Sequence, residues 1–154
     1  MRDRAYRSDL TTDEKVLMGI VRVAETYKRM VSSTFKKHGL SFPQYNILRV
    51  LDASENGRSR ITNVSRIMLV PGANMTGLAK RLEKAGFIER RSDPRDERAT
   101  VLVITAKGKR ALTAIEADRD RCLRSMLGSL SDEEKTDLLG KVKRLLSQGK
   151  NPSS

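Results

Sequence analysis

The stretch from Val70 to Gly108 reads VPGANMTGLAKRLEKAGFIERRSDPRDERATVLVITAKG, and it constrains the fold more than any other part of the chain. Ala73 to Ala85 carries apolar residues at helical spacing and stops at Gly86. An apolar-then-basic strand follows, Phe87 to Arg91. Next come a polar turn crowded with arginine, Ser92 to Arg98, and a returning apolar strand, Val101 to Ile104. One amphipathic helix is thus joined directly to one charged two-stranded ribbon.

The rest of the chain reads as helices. Thr11-Thr-Asp-Glu14 is a capping box ahead of Val16, Leu17, Ile20, Ala24, Tyr27, Met30, Val31 and Phe35, so a helix is predicted to about His38. Gly39 is placed to end it in a left-handed conformation. Ser41-Phe-Pro-Gln44 opens a second helix through Tyr45, Ile47, Leu48 and Leu51, with Pro43 tolerated because the first turn needs no N–H donor. Asn56-Gly57 is expected to end that helix as a turn. Ile61, Val64, Ile67 and Met68 give a short third helix, broken by Val70-Pro71-Gly72 before the fourth packs through Met75, Leu78, Ala79 and Leu82. Two short helices across a three-residue break are a helix-turn-helix signal. After the ribbon, Thr105 caps a long helix that Gly128 closes. Ser131-Asp-Glu-Glu134 opens a last helix with Leu138, Leu139, Val142, Leu145 and Leu146. Residues 147–154 lack apolar side chains and are predicted to fray.

The expected fold is therefore mainly α with a small β-hairpin wing. A winged helix-turn-helix module covers 41–104, flanked by helices at 11–38 and 106–148, all in one unit of 154 residues. The flanking apolar faces exceed what a small module can cover, so these helices are expected to bury each other in a homodimer.

The formal net charge is +12, from 31 Lys and Arg against 19 Asp and Glu, which favours a polyanionic partner. Aromatic residues are 4% with no Trp, a poor composition for stacking single-stranded bases. One Cys and one His exclude an internal disulfide, a cysteine zinc site and a multi-histidine metal site. No nucleophile–base pair or phosphate-cradling loop is evident, so no catalytic residue, metal or cofactor is assigned. The start, MRDRAYRSDL, is charged and has no apolar signal core. The longest uncharged stretch, Ile67 to Ala79, is short of the ~20 residues a membrane-spanning helix needs. The expectation is a soluble cytoplasmic protein with no membrane partner.

Asn74 to Arg90, Asp93-Pro-Arg-Asp-Glu-Arg98 and Ile104-Thr-Ala-Lys-Gly108 together resemble the multiple-antibiotic-resistance regulator (MarR) family. In that family the same block holds the recognition helix, an Asp-x-Arg wing and a Leu-Thr-x-x-Gly motif. The helix order is similar over nearly the whole chain. Pro71-Gly72 departs from the Ser-Pro that often begins the family's recognition helix, so that helix has no side-chain cap. The resemblance implies a dimer on a pseudo-palindromic double-stranded operator, acting as a repressor and released by a small aromatic or phenolic effector. The competing reading is a sequence-nonspecific architectural protein, for which charge and a wing suffice.

Candidate contacts follow from residue chemistry. Asn74 suits adenine, Arg81 guanine and the Thr76 methyl a thymine methyl, with Lys80 on phosphate and Gly77 allowing close backbone approach. A hairpin tip carrying Arg90, Arg91, Arg95 and Arg98 can place one arginine in a narrow minor groove. An ordinary solvated face or a charged edge that resists aggregation would look similar. By resemblance, Asp96 would hold an arginine fork and Arg98 would enter or flank the groove. Tyr27, His38 and Tyr45 would be the polar members of an effector pocket. Core packing is the competing reading for the tyrosines, and a helix-dipole contact for His38. Cys122 reads as a buried, inert thiol.

Overall fold

The computed structural model describes residues 9–149. Residues 1–8, most of the charged start, and 150–154, most of the segment predicted to fray, lie outside them. Ser147 and Gln148, which belonged to that prediction, continue the final helix.

Among the described residues, six α-helices, a 3-10 turn at Glu55–Gly57 and three strands make up the fold. The helices and strands are α1 (Thr12–Lys37), α2 (Phe42–Asp52), β1 (Arg58–Arg60), α3 (Ile61–Met68), α4 (Gly72–Lys84), β2 (Ile88–Asp93), β3 (Asp96–Ile104), α5 (Ala106–Leu127) and α6 (Asp132–Gln148). The helix starts come from local chemistry. Thr11, Ser41 and Ser131 each form a full capping box, with Glu14, Gln44 and Glu134. Thr105 accepts the Gly108 N–H at 3.1 Å. Gly39 and Gly86 take positive φ where α1 and α4 end.

The core lies where α1, α2, α3, α4, α5 and the sheet converge. Phe35, Ile47, Leu48, Leu51, Val64, Met75, Leu82, Leu102 and Ile115 are fully buried. Each such side chain contributes about 1.5–3 kcal/mol relative to exposure. This core fixes α4 against the sheet and leaves its opposite face outward.

Three boundaries differ from the sequence reading. The sheet has three strands in the order β1-β3-β2, where two were predicted. Arg58-Ser59-Arg60 carries no apolar pattern, yet it fills the free edge of β3 in register Arg58↔Val103 and Arg60↔Val101. The wing turn is tighter than Ser92–Arg98. Regular pairing reaches Ser92↔Thr100, then the register shifts and Asp93 pairs with Asp96 around Pro94-Arg95. Gly72 belongs to α4 rather than to the break, which starts at Leu69 in the left-handed region (φ 53°). There the Val70 N–H donates to the Ser65 carbonyl at 3.1 Å and the Ser65 hydroxyl to the Val70 carbonyl at 2.5 Å. Those bonds hold a leucine where L-residues meet a cost of roughly 1–2 kcal/mol.

The two ends of the described chain are apolar and open. Val16, Leu17, Met18, Ile20, Val21 and Val23 of α1 are exposed, as are Leu138, Leu139, Leu145 and Leu146 of α6. α6 has no buried residue. Among the described residues no helix is long and apolar enough to cross a membrane.

Candidate nucleic-acid interface

Met75, Ala79 and Leu82 pin one face of α4 into the core. That spacing fixes the opposite arc. Asn74, Thr76, Lys80 and Arg81 are exposed on it and Gly77 is half-buried. Among the described residues the side chains of Asn74, Lys80 and Arg81 make no hydrogen bond or ion pair. The Thr76 hydroxyl donates to the Gly72 carbonyl at 3.1 Å. A Cβ at Gly77 would meet only the Arg81 Nη1, at 3.8 Å, so internal packing does not require glycine there. The helix starts at Pro71 with no side-chain cap, as the sequence suggested.

Two acid–arginine brackets hold the wing to this helix. Arg90 donates its Nε–H to Glu83 Oε2 at 2.7 Å and its amide to Oε1 at 3.2 Å, tying β2 to the end of α4. Both bonds, the guanidinium's first, hold the Glu83 carboxyl below its ordinary range. Arg60 donates its Nε–H to Asp93 Oδ2 at 2.6 Å, tying β1 to the wing turn. Asp93 Oδ1 accepts the Arg95 amide at 2.9 Å. Asp93 is 8% exposed, the one buried charged residue among those described. The Arg95 amide and then the Arg60 guanidinium lower its pKa. Neither bracket was read from the sequence, because each joins residues distant in the chain. The alternation of charge in Arg58-Ser-Arg60 and the Asp-Pro dipeptide were the available signals.

The brackets sort the wing arginines. Arg90 is committed to Glu83, and Arg91 to Glu89 at 2.5 Å. Arg95 and Arg98 are exposed, and their side chains make no hydrogen bond or ion pair among the described residues. The role expected for Asp96 needs correction. Its carboxylate accepts the Arg98 backbone N–H at 3.1 Å and does not hold an arginine fork. Asp96 stands two residues before Arg98 on β3, and its carboxylate is engaged by the backbone of that strand.

The Asp93 bracket has a pH signature. A carboxyl with a depressed folded pKa contributes stability above its unfolded pKa of about 3.9, and that contribution is lost as pH falls through the folded value. Asp93→Asn should therefore be less stable than the parent at pH 7. The two urea midpoints should draw together as pH drops below about 4. A constant difference across that window would mean that Asp93 acts by shape alone.

Of the three residues expected at an effector pocket, Tyr27 and Tyr45 share one aromatic cluster, and His38 lines a separate cleft. Phe35 stacks on Tyr45 at 4.0 Å, and Tyr27 meets Phe42 edge-on at 5.9 Å. The Tyr45 hydroxyl accepts from Arg119 Nη1 at 3.1 Å. Tyr45 is only 3% exposed, and burial raises the Tyr27 pKa. Cys122, predicted buried, is half-buried and packs on the same cluster. His38 lies apart from the tyrosines, in a cleft it shares with Phe87, Lys107 and Arg110.

Comparison with known proteins places this arrangement. The MarR family model matches residues 38–99, from the end of α1 through the wing. The chain is 31% identical over 134 residues to the HTH-type transcriptional regulator TtmR of Methylorubrum extorquens, covering 79% of this chain and 68% of that protein. The chain belongs to the MarR family of transcriptional regulators. It is also 31% identical over 113 residues to the transcriptional repressor MprA of Escherichia coli, covering 73% of this chain but 64% of MprA. The MarR-family regulator Sco3205 of Streptomyces coelicolor, solved in complex with DNA, superposes with a TM-score of 0.80 at 22% identity. That match covers 96% of this chain and 94% of Sco3205, and it shows the shared fold. These relatives are regulators, not enzymes. In the winged-helix fold shared with these regulators, α3 and α4 are the two helices joined by the short break, and β2 and β3 are the hairpin of the wing.

Proposed function

We propose that this protein is a cytoplasmic, sequence-specific double-stranded DNA-binding repressor that grips a pseudo-palindromic operator as a homodimer. One observation carries the reading. The side chains on the outward arc of α4 and at the wing tip that are able to read DNA (Asn74, Lys80, Arg81, Arg95 and Arg98) are left uncommitted, while Glu83, Arg90, Arg60 and Asp93 bolt the scaffold behind them. Asn74, Thr76 and Arg81 would meet base edges, with Gly77 against the groove wall and Lys80 on phosphate. Arg95 and Arg98 would lie in the minor groove beside the wing, with Asp96 fixing the Arg98 backbone. Two such modules would enter successive major grooves ~34 Å apart. The Sco3205 complex supports the reading by fold, and the MprA name supports repression. A small aromatic or phenolic effector, bound between the α1/α5 base and the DNA module, would change the spacing of the two modules.

Binding to DNA from upstream of the protein's own gene, titrated against random duplex through a salt series, tests this reading. Arg98→Ala should weaken binding strongly with the fold intact. Arg81→Ala should relax base preference by about 1–3 kcal/mol if the contact is a bidentate one to guanine. Equal loss on both duplexes would reduce Arg81 to a phosphate contact, and equal affinity of the parent for both would favour an architectural protein.

A further inference from the structure

We propose that Tyr45 and Arg119 form an elbow that sets the angle at which α5 leaves the winged module, and so determine the half-site spacing the dimer accepts. Both are positioning residues, and neither is among the side chains placed on DNA above.

Two helices run from the module towards the open apolar surfaces, and both leave it at Tyr45. The buried residues of α1 are Val31 and Phe35, near its C-terminus, whereas Leu17, Val21 and Val23 towards its start are exposed. On α5, Gly108, Leu112 and Ile115 are buried, and no later residue of that helix is. The Phe35 ring stacks on Tyr45 at 4.0 Å with 20° between the planes. One helical turn past Ile115, Arg119 donates from Nη1 to the Tyr45 hydroxyl at 3.1 Å. A single α2 side chain thus holds the buried end of α1 by its ring and the exit of α5 by its hydroxyl.

The joint is directional. The Arg119 side chain is 14% exposed, the most covered cation of any ion pair among the described residues, with Arg90 next at 31%. Its Nε–H and Nη2–H both go to Asp120 Oδ1, at 2.9 and 2.8 Å. A guanidinium is planar, so fixing those two donors fixes where Nη1 points. The Tyr45 bond raises the guanidinium's pKa more than burial lowers it. Leu112 and Ile115 also bind α5 to the module, but apolar packing has no preferred direction and tolerates a small rotation. A hydrogen bond weakens steeply with angle, and losing one from a covered charge is costly. The polar tie, rather than the core, therefore selects the angle.

A dimer turns that angle into specificity. Two half-sites on a duplex lie at a fixed distance and phase, so stiff elbows hold the dimer to one spacing and loose elbows reach several. This rests on the homodimer of the proposed function and names what sets the separation of its two modules.

The test measures that separation in the full chain. Lys84→Cys in a Cys122→Ala background puts one spin label at the exposed end of each α4. The label-to-label distance in the free dimer should be single and narrow. Tyr45→Phe, which deletes one oxygen, and Arg119→Ala should each shift and broaden it. The double variant should be no broader than Arg119→Ala alone, because both changes remove the same tie. Val64→Ala, a cut in the buried core on α3, should lower the melting temperature and leave the distance narrow, which separates positioning from lost stability. Lengthening the half-site spacing by about two base pairs, roughly a fifth of a turn, should cost the parent about tenfold or more relative to a single half-site, and Tyr45→Phe much less. The proposal is overturned by an unchanged distance in Tyr45→Phe, by additive broadening in the double variant, or by equal broadening in Val64→Ala. The distances are read without DNA, so they decide the elbow even where operator preference fails, and a monomeric parent would overturn it together with the dimer.

Discussion

Gly108→Ala should lower stability by about 2 kcal/mol, an effect out of proportion to one methyl group. A Cβ at this position would lie 2.5 Å from the Phe87 carbonyl oxygen and 2.8 Å from Ile104 Cγ1. Neither neighbour is free to yield. The Phe87 carbonyl accepts the Thr105 N–H at 3.1 Å, and the Thr105 hydroxyl donates to the Gly86 carbonyl at 2.7 Å. Ile104 is buried on the inner face of β3. The first turn of α5 would have to lift off the base of the wing. Overpacking of this kind costs about 3 kcal/mol, and the better helix propensity of alanine returns about 1. For a chain of this size the melting temperature should fall by roughly 4–8 °C. Gly77→Ala is the matched control, because its Cβ would make only an ordinary contact with the flexible end of Arg81, at 3.8 Å, and should stabilise α4 by up to about 1 kcal/mol. An unchanged melting temperature for Gly108→Ala would mean that α5 does not seat on the wing as described.

The same glycine shows what the sequence could carry. Thr105-Ala-Lys-Gly108 marks a helix start by its cap, and the helix begins there. The starts at Thr11, Ser41, Thr105 and Ser131 and the stops at Gly39 and Gly86 were legible for the same reason: the chemistry is complete within four residues. The end of α2 was not, because the helix stops at Asp52 and Asn56-Gly57 belong to a separate 3-10 turn beyond it. β1 was not, since three polar residues become a strand only when the edge of β3 offers partners. The brackets Arg60–Asp93 and Glu83–Arg90 were also illegible, because which aspartate of Asp93-Pro-Arg-Asp96 turns inward depends on the register shift at Ser92/Asp93. Leu69 misled for a related reason. A left-handed cap is expected of glycine, and Gly72 stood three residues away. At the candidate interface, the outward face of α4 followed from helical period alone, whereas the sorting of four wing arginines into two bound and two free needed the fold. The separation of His38 from Tyr27 and Tyr45 needed it too.

Deleting Asp132 onwards should leave monomer or aggregate in place of a dimer, and operator affinity should collapse with it. α6 is a helix of 17 residues with no buried side chain. Isolated helices near that length are marginal in water, so its stability has to come from an apolar face that packs on something. Leu138, Leu139, Leu145 and Leu146 form such a face, with Leu139 54% exposed. On α1, Leu17 is 58% exposed amid Val16, Met18, Val21 and Val23. Burying each leucine would contribute about 1.5–3 kcal/mol, which makes these two open surfaces the chain's largest unused source of stability. A second copy is the occupant that supplies matching surfaces by symmetry. Leu139→Asp with Leu146→Asp should reproduce the truncation without shortening the chain, read as a monomer by sedimentation velocity with helicity largely retained. Linking two half-site contacts can raise affinity by roughly 10²–10⁴, so the monomeric variant should lose about that factor on a full operator while a single half-site is bound as before. A soluble, folded dimer from either variant would move the interface off α6. Loss of half-site binding would instead show that α6 supports the DNA module itself.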